Sequence, residues 1–231
     1  MLLANEAKIL RSIISALMIL LVVGCAAVKP PKQEPPDKHL VAEWTRSPSI
    51  TVVANGDDPG IGLVEEAITF WNRTLEELGS GFRLGDLTGV DQPIPEEALQ
   101  SLSSILVAAG RSTRIPETLR TGSGDPTIFL AHSDFVSFTG PFDGNGHRVI
   151  GIKGLKFFPL NLPNVARNLV AHEIGHAIGL RHNTDPKFLM CGRPALCRPD
   201  EFRSDEPRMF PLSEEEKRQL VAMYPPDWKP H

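Results

Sequence analysis

The sequence predicts an α+β domain behind an N-terminal leader, and three observations carry that expectation. Apolar, β-branched runs at Ser49–Val53, Thr127–Ala131 and Arg148–Ile152 are set off by Gly, Pro, Asn and Asp, as strands are. Other stretches place apolar residues three and four apart, the spacing of one helical face. One helical stretch carries His172, Glu173 and His176, with Gly179 and His182 just beyond it, so fold and chemistry meet on one element.

In chain order, Lys8 and Arg11 precede Ile13–Val23, which is apolar except for Ser15. That is the layout of a secretory signal, and the run is short for a membrane span. It ends Leu21-Val22-Val23-Gly24-Cys25, which resembles a bacterial lipobox, with Val22 where Leu is common. The resemblance implies a signal peptide over 1–24, lipid on Cys25 and attachment to the membrane through that lipid. The expected location is the cell envelope, on a periplasmic or extracellular face. Ala26 after the Cys, rather than Asp, leans towards the outer membrane of a two-membrane bacterium. The alternatives are a plain signal peptide or an uncleaved anchor. Residues 25–48 are Pro-rich and charged around Lys29–Lys38 and read as a tether.

The domain is expected over 49–231, opening with the Ser49–Val53 strand. A helix follows, with Val64, Ala67, Ile68, Trp71, Leu75 and Leu78 on one face. Gly81–Leu84 reads as a second strand. Pro95–Ala109 reads as a helix, or Ile105–Ala108 within it as a strand. Thr127–Ala131 is a strand opened by Asp125-Pro126, and Arg148–Ile152 is the strand before the histidine-bearing helix. Near the end, Ser213 and Glu216 form a capping box, and Pro225-Pro226 stops the helix they start. With 41% hydrophobic and 23% charged residues and a net charge of −4, no basic excess points to nucleic acid, and a monomer is expected.

The chemistry lies in the pattern H-E-x-x-H-x-x-G-x-x-H from His172 to His182. Residues four apart share a helical face, so His172 and His176 can aim at one ion. Glu173, one step round, can flank its open side. Gly179 can adopt a left-handed conformation that ends the helix, which lets His182 return as a third ligand. Three nitrogens and one open position describe a catalytic zinc site rather than a structural one.

This stretch resembles the metzincin clan of zinc peptidases. The short gap from His182 to Leu189-Met190 is most similar to the matrixin branch, as is Pro211–Glu216 leading into Gln219–Tyr224. The resemblance implies a zincin-like fold: a twisted, mostly parallel sheet with an antiparallel edge strand, an active-site helix, and a small C-terminal subdomain with a closing helix. It implies a zinc endopeptidase acting on protein or peptide substrates, with Glu173 as general base and His172, His176 and His182 on the metal. Met190 would be a floor beneath the ion. Some members carry a Tyr ligand two residues after that Met, where this chain has Gly192. The resemblance also suggests that Arg148–Lys153 lines the cleft as an antiparallel sheet edge.

A second metal is the lesser expectation. His132, Asp134 and His147 are spaced similarly to a structural zinc site of matrixins, but Pro141-Phe142-Asp143-Gly144 is displaced and no fourth ligand stands near position 160. Calcium at Asp143 is weaker still. Otherwise these are surface loop residues. Cys191 and Cys197 are expected to pair in an oxidising compartment, the alternative being a thiolate on the zinc. The other functional readings are a catalytically silent binding or assembly module and a cell-wall amide hydrolase. An intact Glu173 argues against the silent module.

Overall fold

Apolar residues occupy nearly every position of Ile50–Ala54, Pro126–Leu130 and Arg148–Ile152. Strands of that kind are buried on both faces, as in parallel sheets. In the computed structural model, which describes residues 43–109, 114–120, 125–142, 147–192 and 206–230, they form the middle of one five-stranded sheet. The expected signal peptide 1–24, Cys25, Asp143 and Cys197 lie outside the described residues, as does the expected tether up to residue 42.

The strands are β1 (Ile50–Ala54), β2 (Leu87–Asp91), β3 (Pro126–Leu130), β4 (Phe138–Phe142) and β5 (Arg148–Ile152), in the order β2-β1-β3-β5-β4. β1 runs parallel to both β2 and β3, and β3 runs parallel to β5. Only β4 is antiparallel, on β5, with a register irregularity between Thr139 and Phe142. The sheet is therefore mostly parallel with one antiparallel edge, as expected.

Alternation sends Ile50, Val52, Ile128, Leu130, Ile150 and Ile152 into one core, under α1 (Gly60–Glu77) and α3 (Pro163–Ala177). Val53, Phe129, Ala131 and Val149 enter a second core on the other face, with Leu99 and Leu102 of α2 (Glu96–Ala109). α1 buries Val64, Ala67, Trp71 and Leu75, the face its periodicity predicts. Residues 96–109 resolve as helix, so the strand reading of Ile105–Ala108 falls. The closing helix, α4 (Glu214–Met223), has the expected capping box, with both bonds between Ser213 and Glu216 in place.

Three expectations need correction. Gly81–Leu84 is not a strand. Phe82 is buried there because it stacks on Tyr224 at 4.1 Å and meets Trp228 edge-on at 5.1 Å. The antiparallel edge is β4, not Arg148–Lys153, because β5 has partners on both sides. Trp44 belongs to the core, although it falls within the residues 25–48 expected as a tether. Its indole donates to Ala177 O at 2.9 Å and lies under the Arg148 guanidinium, 3.8 Å away. Among the described residues no helix is long and apolar enough to cross a membrane.

Candidate metal centre

The site is built on the last two turns of α3. Pro163 stands at the start of that helix, where its missing N–H costs nothing. At the other end Gly179 has a φ of 109°. Its N–H donates to His176 O at 3.0 Å and that of Leu180 to Gly175 O at 3.0 Å. These two bonds are a Schellman stop, and they release the chain where the motif needs it to turn.

The histidines converge. Nε2 of His176 is 3.0 Å from that of His172 and 2.9 Å from that of His182, and the third separation is 3.1 Å. The far sides of the helix pair are fixed. His172 Nδ1 lies 2.9 Å from Leu189 O, and His176 Nδ1 lies 2.8 Å from Leu180 O. Carbonyl oxygens only accept, so Nδ1 carries the proton in both rings and Nε2 a lone pair. Two lone pairs facing at 3.0 Å repel unless an electrophile lies between them. Nitrogens so placed can share one ion at about 2.0–2.1 Å, the usual zinc–imidazole distance. Among the described residues these three form the one group of His, Cys, Asp or Glu able to hold a metal. Burial, then the charges of His172 and His182, hold His176 well below the ordinary imidazole value, and burial lowers His182 too. Both shifts favour the neutral form of these two rings, the form that binds metal.

The third histidine is placed by a loop. A Cβ at Gly192 would lie 2.1 Å from Cγ and Cδ2 of His182, so only glycine leaves room for this ring. The neighbouring Asn183 pairs with the following turn: its N–H donates to Met190 O at 2.8 Å, and Gly192 N–H donates to Asn183 O at 3.1 Å. Asn183 Nδ2 donates to Glu216 Oε1 at 2.5 Å, and Glu216 Oε2 accepts the Ser213 N–H of the α4 capping box at 2.6 Å. Met190 is fully buried beneath α3, where a Cβ on Gly175 would come within 2.6 Å of its Sδ.

Glu173 is 6% exposed, and burial pushes its carboxyl up to about 7, offset in part by a hydrogen bond from Thr139. Thr139 Oγ1, on β4, is 2.7 Å from Glu173 Oε2. The sequence gives no sign of this contact, which exists only because β4 lies beside α3. A cavity of about 770 Å³ opens over the histidines and Glu173. Its walls include Ser137–Thr139 of the edge region, Leu106 and Val107 of α2, and Val165 and Leu169 of α3, with Leu189 and Gly192 below. Of Arg148–Lys153 only Lys153 lines it. Arg148 is buried, donates to Ala177 O behind the site, and is pushed down to about 10 by burial.

The expected second metal set does not assemble. Asp134 pairs with Lys153 Nζ at 2.8 Å, and His132 Nε2 lies 2.7 Å from Asn55 Nδ2. Glu96 takes the backbone N–H groups of His132 and Ser133, which fixes that loop by other means. His147 joins neither residue in a metal-sized group. Cys191 is buried and disulfide-bonded, so its sulfur is not a free thiolate for the ion.

No family model matches the chain. Among solved structures it is similar to archaemetzincin from Methanopyrus kandleri, at 18% identity and a TM-score of 0.45, over 80% of this chain and 98% of that one. It is also similar to metalloproteinase-II from Bacteroides fragilis, at 16% identity and a TM-score of 0.44, over 85% of this chain; there it spans 59% of the other chain's length.

Proposed function

We propose that this protein is a zinc-dependent peptidase, an endopeptidase similar to the matrixin branch of the metzincins. One observation carries the reading: three imidazole Nε2 atoms meet at 2.9–3.1 Å beside a buried carboxyl group. His172, His176 and His182 would hold the ion, and the neutral donor set suits zinc. When bound, zinc supplies a Lewis acid that polarises a carbonyl and acidifies water. Glu173 takes a proton from the attacking water and hands it to the departing amine. Among the described residues the outer side of β4 has no strand partner, and it would offer an extended peptide a strand to pair with, holding the scissile bond over the histidines.

The N-terminal features support a lipid anchor at Cys25, with the domain held at the cell envelope by the tether, on the outer membrane where there are two. Labelled palmitate should enter the wild-type chain and not Cys25→Ala.

The enzymatic reading is tested with Glu173→Ala. The wild-type chain should hold one zinc and cleave members of a peptide library, whereas the variant should keep the zinc and lose cleavage by a factor of about 10² to 10⁴. Full activity in the variant rules out the assigned base.

A further inference from the structure

The carboxyl group of Glu173 is held at one oxygen only. Thr139 Oγ1 is 2.7 Å from Oε2 and 2.7 Å from the backbone oxygen of the same residue. Among the described residues no other side chain bonds this carboxyl group. A threonine hydroxyl has one proton and can accept as well as donate. The Glu173 carbonyl sits inside α3, four residues before Ala177, so the helix ladder already supplies it a donor. The hydroxyl is therefore free to donate to Oε2 while the carboxylate is ionised. When Oε1 takes up a proton, Oε2 remains an acceptor, and the hydroxyl keeps its bond to it. The contact survives in both states, and Oε1 is left out of it in both.

We propose that Thr139 is a positioning residue for Glu173: from the edge strand it pins Oε2, so that Oε1 is the oxygen presented to the attacking water. The inference rests on the peptidase reading above and adds a residue outside the eleven-residue motif. Thr139 suits the task by its place as well as its chemistry. It lies on the strand that walls the cleft, one residue before Gly140, whose φ of 134° and the irregular register beyond it end the regular pairing with β5. The hydroxyl is thus carried by the last regularly paired position of β4. A β-branched side chain there is stiff about χ1, so the oxygen is held in one direction.

The test compares Thr139→Val, which keeps the shape and removes the hydroxyl, with Thr139→Ser, which keeps the hydroxyl. Both are made in the full chain. Thr139→Val should bind zinc as the wild type does, lower kcat roughly 30-fold as a misplaced general base would, and leave KM within about twofold. Thr139→Ser should return kcat to within about threefold of wild type. Crystal structures should show one Glu173 carboxyl conformer in the wild type and Thr139→Ser, and more than one in Thr139→Val. Wild-type kcat in Thr139→Val, no rescue by Thr139→Ser, or an unchanged single conformer in Thr139→Val each overturns the proposal. A zinc-loaded wild type that cleaves no peptide defeats the peptidase reading instead, and the Glu173 conformers then decide the role of Thr139 alone.

Discussion

Two of the three imidazoles stand on α3 and the third on the loop that follows it, and the two regions hold their rings differently. On α3 the backbone does the work. The four-residue spacing aligns His172 and His176, and each Nδ1 is tied to a main-chain carbonyl. On the loop no period exists. His182 is placed by the space left at Gly192, by the pairing of Asn183 with Met190 and Gly192, and by the Asn183–Glu216 bond that reaches α4. A helix places ligands through its geometry, while a loop must be cross-linked into position. The loop should therefore be the more fragile side of the site.

The sharpest way to break that contrast is Gly192→Ala. The added methyl meets the His182 ring at 2.1 Å, and the ring must move. Zinc affinity should fall about 1,000-fold, beyond the 10–100-fold usual for losing an outer partner, because the ligand itself is displaced. Competition with a chromophoric chelator measures this. Affinity within tenfold of wild type means the loop adapts, and the distinction between the regions fails.

The helix side has a weakness of its own, which is burial. In metal-free protein the Glu173 carboxyl titrates near 7, above its ordinary value. A raised folded-state value gives stability that is complete below about pH 4.5 and lost as pH rises towards 7, an effect of about 3 kcal/mol. His176 acts in the opposite sense, since its lowered value makes stability rise with pH. Glu173→Gln isolates the first effect. With chelator present, the stability of the variant relative to wild type should grow by about 3 kcal/mol between pH 4.5 and 7, read from urea unfolding. A difference that is flat with pH contradicts it.

The same contrast separates what the sequence made legible from what it did not. His172, Glu173, His176 and the Gly179 stop follow from helical period and backbone chemistry, and the strands β1, β3 and β5 announce themselves by β-branched runs. β4 does not, because Phe138-Thr139-Gly140-Pro141-Phe142 carries the Gly and Pro that usually speak against a strand. An edge position tolerates both. β2, with Thr88 and Gly89 exposed, has too little apolar pattern to be seen. Thr139, Gly192 and Asn183 matter through neighbours distant in space or across a turn, which no local pattern records. Phe82 misled for the same reason, being apolar for packing against Tyr224 rather than for a strand.

A smaller effect is expected at the link between the loop and α4. Glu216→Gln removes the charge and leaves one carbonyl oxygen, which can serve Asn183 or the Ser213 N–H but not both. Zinc affinity should drop about tenfold, the low end for outer support, with the domain still folded. If His182 needed no help from α4, chelator competition would show no change.

The smallest expected effect tests whether α3 is held as firmly as its role demands. Two indoles bracket the stretch that carries its ligands: Trp71 Nε1 donates to Ala171 O and Trp44 Nε1 to Ala177 O, each at 2.9 Å. Tyr224 adds its hydroxyl at Ile178 O, also at 2.9 Å. One such bond contributes about 1 kcal/mol net. Trp44→Phe keeps an aromatic ring over much of the same space and removes only the donor and part of the ring, so it should cost about 1–2 kcal/mol in urea unfolding and leave zinc affinity within about threefold. A larger loss of affinity than of stability would mean that the helix end is fixed from outside after all. His176 would then be held the way His182 is, and the two regions would differ in degree rather than in kind.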